Sequence, residues 1–302
     1  MTAFRHTPYD GTALPFTMGL APCAEEDWIE QDDHMTDHLL QKDRLLTQRP
    51  AAVYRTTDGM HTAESELLDL LRKHLPHTFP HLYESDGDII TIKPMGVTYT
   101  VADFADAPLA LAGRLVQEDF CLIRPRDDGT HELAAACLGF PSSWRLADKI
   151  GKPLEAVHGP VPDYKGDLAP RVNRLFTRLP DNQILWRMNW SLDEGNALHR
   201  PQPHSHDAWL DTGGDPLDHL SIRTERQTVR RLPQTGLIVF TIKIGLDPLG
   251  ALAHHRNAAA LAQGMHDQLN AMTEAQAAYK GLARARPVIL KRLADIASGG
   301  LS

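Results

Sequence analysis

Four arginines and a glutamate crowd one segment of this chain, HLSIRTERQTVRRLPQTGLIVFTIKIGL at residues 219–246, which ends in an almost wholly apolar run. Guanidinium groups present donors in a fixed fork, a geometry that holds anions and polarised oxygen species. A charge-studded strand beside an apolar one suggests a polar pocket, although arginine on a strand more commonly blunts an exposed edge. Histidine is the second source of chemistry, but there are 16 of them, so each alone carries little weight. His74, His77 and His81 crowd one loop and His204 and His206 flank Ser205 in another. Neither group has a carboxylate or thiol at metal-ligand spacing, so no zinc site is proposed. His158 stands apart, because it ends the helical run LEAV just ahead of Pro160 and Pro162, which fix its direction. The default reading of such a residue is a cap on the last helical carbonyls. An imidazole on a helix facing a sheet is also how a protein gives haem iron a single proximal ligand.

The elements that position these residues follow from pattern. Residues 237–244 are rich in β-branched and aromatic side chains and read as a strand, with Pro233, Gln234, Thr235 and Gly236 as a four-residue turn before it. In the preceding strand Leu220, Ile222, Thr224, Arg226, Thr228 and Arg230 share one face, and Ser221, Arg223, Glu225, Gln227, Val229 and Arg231 the other. Earlier, residues 115–124 and 132–139 read as a hairpin turning at Asp127, Asp128 and Gly129. Helical turns follow over 142–150 and 154–158, then an amphipathic helix over 168–179 and a strand over 184–192. Shorter strands are expected at 89–92 and 97–101. Helices at 30–48 and 63–74 precede this block, closed by Pro50 and Pro76, and alanine-rich helices at 252–279 and 283–297 follow it, with Gly264 and Gly281 as weak points. The expectation is one α+β domain over 1–302: an N-terminal helical layer at 1–85, a sheet-bearing core at 86–248 and C-terminal helices at 249–302.

Composition narrows the function. A length of 302 residues allows a substantial core without staples. A formal charge of -8 argues against a general nucleic-acid or anionic-membrane binder. No signal peptide or apolar run of membrane-spanning length is visible, and three widely spaced cysteines, Cys23, Cys121 and Cys137, fit a reducing, cytoplasmic setting. The HExxH, GxSxG, GxGxxG and GxxxxGKS patterns are missing, which removes the commonest hydrolase, Rossmann and P-loop readings. Without a CxxC pair, any iron–sulfur centre belongs to a partner.

The run AACLGFPSSWRLADKIGKPLEAVHGPVP, then WRMNWS, then IRTERQTVRRLP and FTIKI followed by DPL, resembles the α-subunit family of haem-dependent oxidative N-demethylases. The resemblance spans roughly residues 14–280, in one order. It implies a PAS-like (Per-ARNT-Sim) antiparallel sheet with short helices on the haem side, wrapped by extra N- and C-terminal helices. It further implies a haem b oxygenase acting on a small secondary amine such as dimethylamine with O2. FMN, 2Fe-2S and NADPH would contribute only through partner reductase subunits. By the same resemblance the helix bearing His158 supplies the axial iron ligand, with His199 and His219 as weaker rivals. Arg187, Arg223 and Arg226 are candidate haem-side donors, and Glu225, ahead of Glu118 and Asp119, is the candidate carboxylate for the amine cation. If the apolar strand faces look at the haem, Arg226 gains and Arg187 loses. The chain departs from its relatives near the end of the last strand, where they often carry a tyrosine and it reads Lys243, Ile244, Gly245. Two rival readings are a haem-based gas or redox sensor without turnover and an interaction protein with an empty pocket. Pairing of two copies through the alanine-rich tail is left open.

Overall fold

Period-two alternation and β-branched content build the strands where the sequence places them, and tertiary pairing lengthens most of them. The computed structural model describes residues 4–12, 18–162, 166, 168–202 and 205–300. Its strands are β1 (Ala21–Cys23), β2 (Tyr54–Thr56), β3 (Tyr83–Asp86), β4 (Ile89–Ile92), β5 (Val97–Thr100), β6 (Asp119–Pro125), β7 (His131–Cys137), β8 (Ile184–Glu194), β9 (Leu220–Arg231) and β10 (Ile238–Pro248). The helices are α1 (Met35–Gln48), α2 (Pro50–Val53), α3 (His61–Thr78), α4 (Pro108–Leu115), α5 (Leu154–Val157), α6 (Ala169–Arg178), α7 (Pro216–His219), α8 (Ala258–Ala271), α9 (Glu274–Tyr279) and α10 (Arg286–Ala297). His204 lies outside the described residues.

Seven strands form an antiparallel sheet in the order β1-β8-β9-β10-β6-β7-β2. Within it β6 and β7 precede a helical block and β8, β9 and β10 return after it, so that β10, last in sequence, sits centrally beside β6, while the earlier short strands β1 and β2 form the two edges. A small second sheet, β3-β4-β5, accompanies the N-terminal helices. One face of the large sheet is covered by a core from α1, α3 and α4, including Leu39, Leu67 and Leu111, against Phe120, Leu122 and Val239. Further along the same face the C-terminal helices cover Trp190, Leu192, Leu220 and Ile222 with Leu261, Met265 and Leu293. The other face meets α5, α6 and the loops between β7 and β8.

Several boundaries move for physical reasons. Residues 115–118 leave the expected strand, because α4 ends at Leu115 and Lys42, fully buried, donates to the carbonyls of Val116 (3.0 Å) and Glu118. Pro76 sits inside α3 rather than ending it. Residues 142–150 form only one short 3-10 turn, at Leu146–Asp148. Gly264 is a close-approach point within α8 rather than a break, since a Cβ there would lie 2.5 Å from the Tyr9 carbonyl oxygen. The helical tail breaks instead before Thr273, whose side chain and Gln276 form a reciprocal capping box. Among the described residues no helix is long and apolar enough to cross a membrane.

Candidate functional site

His158 follows α5 directly, and Pro153 starts that helix. Its Nδ1 lies 2.9 Å from the Leu154 carbonyl oxygen. A carbonyl only accepts, so Nδ1 carries the proton and Nε2 is the ring nitrogen with the lone pair, the form that ligates metals. Burial holds the imidazole pKa below its ordinary value, and the nearby Lys149 and Arg187 cations act in the same direction, while the Leu154 hydrogen bond opposes them. The ring is therefore neutral at physiological pH.

It borders a cavity of about 420 Å3 between the sheet and the helical block. That size falls in the range of roughly 300–1,000 Å3 typical of ligand and cofactor sites. One wall is apolar, from Ile123 and Leu133 on the first hairpin, Val229 and Phe240 on β9 and β10, and Phe176 on α6. The opposite end is polar. Arg187, Asn189, Ser191 and Asp193 project from alternate positions of β8, and Glu225 and Gln227 from β9. Asn189 and Gln227 both donate to Glu225 Oε2, at 3.1 and 2.9 Å. Lys280, just after α9, closes this end with its Nζ donating to the Trp190 carbonyl at 2.6 Å. Burial pushes its pKa down to about 8, against the pull of Glu225 and Asp193.

The condition the sequence left open, that the apolar strand faces look into the pocket, is not met on β8. The apolar set Ile184, Trp186, Met188 and Trp190 turns away from the cavity, and the polar set of β8 faces it. Arg187 consequently lines the cavity, with burial holding its pKa below the ordinary value and its Nε buried without a hydrogen-bond partner among the described residues. Arg226, paired in register with Met188 and Lys243, lies on the opposite face. There it donates to the carbonyls of Trp28 (3.3 Å) and Asp27 and lies 3.6 Å from Glu30. Arg223 belongs to the cavity-side face but is fully buried, with Nη2 donating to the Phe140 carbonyl at 2.7 Å and Nη1 3.7 Å from Asp193. It fixes the loop after β7 instead of opening into the cavity.

The rival residues are occupied elsewhere. Asp119 accepts from the backbone N–H groups of Gly139 and Phe140, both at 2.8 Å, and Glu118 accepts from the Glu30 N–H at 2.8 Å. His199 Nδ1 donates to the Gly139 carbonyl at 2.7 Å, and His219 stacks on Trp209. Lys243 points to the far face, where its Nζ donates to Glu30 Oε1 at 2.9 Å, and Ile242 and Ile244 border the cavity. Sequence reasoning missed Asn189, Ser191, Asp193, Gln227 and Lys280. The first three were readable as period-two polarity in ILWRMNWSLDE, whereas Lys280 arrives from a distant helix with no local signal.

The architecture defines a class: an antiparallel-sheet protein with a cofactor-sized cavity, apolar on one side, bordered by the His158 imidazole and closed by a polar end. The chain matches the family described as haem-dependent oxidative N-demethylase, alpha subunit-like, over residues 19–290, and it belongs to that family. No curated protein matches it. The family name carries haem dependence, an oxidative N-demethylase type of activity and membership of a multi-component oxidase. The residues present fit a haem, with apolar side chains for a flat macrocycle, an Nε2 lone pair for iron and an unmatched guanidinium for a carboxylate.

Proposed function

We propose that this chain is the haem-binding oxygenase subunit of an oxidative N-demethylase, in which His158 would ligate the haem iron. The observation that carries the reading is the Nδ1-protonated tautomer of His158 at the cavity wall. The order of β6 and β7, a helical block and then β8, β9 and β10, with β10 returning beside β6, supports a PAS-like core over residues 86–248 of one domain. When bound, the haem supplies O2 activation and the oxidising power for the N-methyl group.

The protein's own residues do the rest. Leu154 O fixes the tautomer and direction of His158. Asn189 and Gln227 hold Glu225 in place, and its carboxylate receives the substrate's ammonium. Arg187 supplies a positive charge beside the haem. Arg223 acts at one remove, by setting the Phe140 loop, and Arg226 anchors the N-terminal segment. In overall balance, a methylated secondary amine, O2, two electrons and two protons give the demethylated amine, formaldehyde and water. The electrons come from partner reductase subunits carrying FMN, 2Fe-2S and NADPH sites, working in the cytoplasm. The family membership favours this reading over a sensor without turnover.

The test supplies haem-replete protein with a reductase, O2 and dimethylamine. Amine-dependent formaldehyde in proportion to reductant consumed is expected. Reductant consumption without formaldehyde for any of a panel of small N-methyl amines contradicts the proposal.

A further inference from the structure

An acid and a base sit side by side at the polar end of the cavity without pairing. Arg187 is in register with Gln227, and Glu225 with Asn189. Arg187 and Glu225 are thus diagonal neighbours on adjacent strands, with Cα atoms roughly 7–8 Å apart. Both side chains line the cavity. Among the described residues Arg187 has no hydrogen bond or ion pair, and its Nε is buried. Glu225 accepts both amide donors at Oε2, which leaves Oε1 as the acceptor for a ligand. A guanidinium taken out of water is costly unless an anion meets it, and among the described residues only Glu225 acts on it, through its charge and without an ion pair or hydrogen bond.

From this juxtaposition we infer that the substrate is a zwitterion, an N-methylated α-amino acid whose ammonium meets Glu225 and whose carboxylate meets the Arg187 fork. The inference rests on the N-demethylase reading above. An ammonium and a carboxylate joined through one α-carbon present the two charges these diagonal side chains would meet, with a hydrogen bond of about 2.9 Å at each end. Charge points the same way. Lys280 adds a second cation at this end, anchored on the Trp190 carbonyl. A simple dialkylammonium adds a net positive charge to an end already balanced between Arg187 and Lys280 on one side and Glu225 and Asp193 on the other, and it brings no anion for Arg187. A zwitterion adds no net charge and satisfies both groups. Val229 and Phe240, on the same face of the sheet, provide an apolar surface for the N-methyl group. The shared chemistry is a carboxylate on Arg187, and its other source is a propionate of the haem itself.

Haem-replete protein titrated with N-methylglycine or dimethylammonium, read by the shift of the Soret band, separates these sources. N-methylglycine is expected to saturate at least tenfold lower than dimethylammonium in the wild type. Arg187→Met is expected to abolish that preference while keeping its haem, and Arg187→Lys, which keeps the charge without the fork, to recover part of it. Equal or tighter binding of dimethylammonium in the wild type, or a preference that survives Arg187→Met, overturns the inference. So does loss of haem from Arg187→Met, which assigns the carboxylate to the macrocycle. Should Arg187→Met not fold, the partial preference expected of Arg187→Lys decides, and an undiminished one counts against the inference. A wild type that takes up no haem defeats the N-demethylase reading by itself. Calorimetry of that haem-free protein then decides the inference, with heat from N-methylglycine that is lost in Arg187→Met supporting it and no heat overturning it.

Discussion

Arg187 and Arg226 come from adjacent strands of one sheet and project from its opposite faces, and their surroundings differ in kind. On the face away from the cavity each strand cation is met by the segment around residues 25–32. Arg226 reaches the Asp27 and Trp28 carbonyls and Glu30, Arg230 pairs with Glu25 at 2.8 Å and lies over the Trp28 ring, and Lys243 pairs with Glu30 at 2.9 Å and Asp32 at 2.6 Å. On the cavity face Arg223 is likewise engaged by loop carbonyls, but among the described residues Arg187 makes no hydrogen bond or ion pair and feels only the charge of its diagonal neighbour Glu225. A cation that serves the fold finds its partner within the fold. One that serves a ligand is left facing the space the ligand fills, at some cost in stability.

The comparison can be broken by removing charge from each face in turn. Lys243→Met should have the largest effect, about 3–5 kcal/mol of lost stability, because it leaves two mostly buried carboxylates short of their shared cation. Denaturant melts would measure this, and haem uptake below the transition should be unchanged. A loss under 1 kcal/mol would mean that these pairs do little for the fold.

Acid should act through buried histidines, two of which lie outside the cavity lining. His74 packs on Trp28 and His38 on Phe140, and burial lowers both rings from the ordinary 6.5 to about 4. As pH falls the unfolded chain takes up these protons first. Stability is therefore complete above about 6.5 and is lost down to about 4, at about 1.4 kcal/mol per pH unit for each ring. Thermal melts across that window should show the decline, and a flat profile would contradict the burial of the two rings. The smallest effect belongs to Arg187→Met, expected to change stability by less than about 1 kcal/mol and in the stabilising direction, since a partly buried unpaired charge is removed. A loss of several kcal/mol would make Arg187 a structural residue and erase the contrast with Arg226.

Much of the architecture was legible because it rests on local signals. The Asp127-Asp128-Gly129 turn, the β-branched run of β10 and the LEAV turn before His158 all appear where residue type dictates. The face of β8 that meets the cavity was not legible, because Trp186, Met188 and Trp190 look like a core face and are one, buried by a different layer. Local pattern says which residues share a face, and only tertiary packing says which face is the pocket. The same limit hid Lys280, about 90 residues from the strand it caps. It also hid the short edge strands β1 and β2, which gain their conformation from pairing with β8 and β7.

The central claim is that the cavity face holds a haem through His158. Absorption spectra of haem-replete wild type and His158→Ala, ferric and ferrous, test it most directly. The account predicts a Soret band in the wild type that is lost or markedly shifted in the variant, with the fold intact by circular dichroism. A band that is identical in the two proteins, or missing from both, would contradict it.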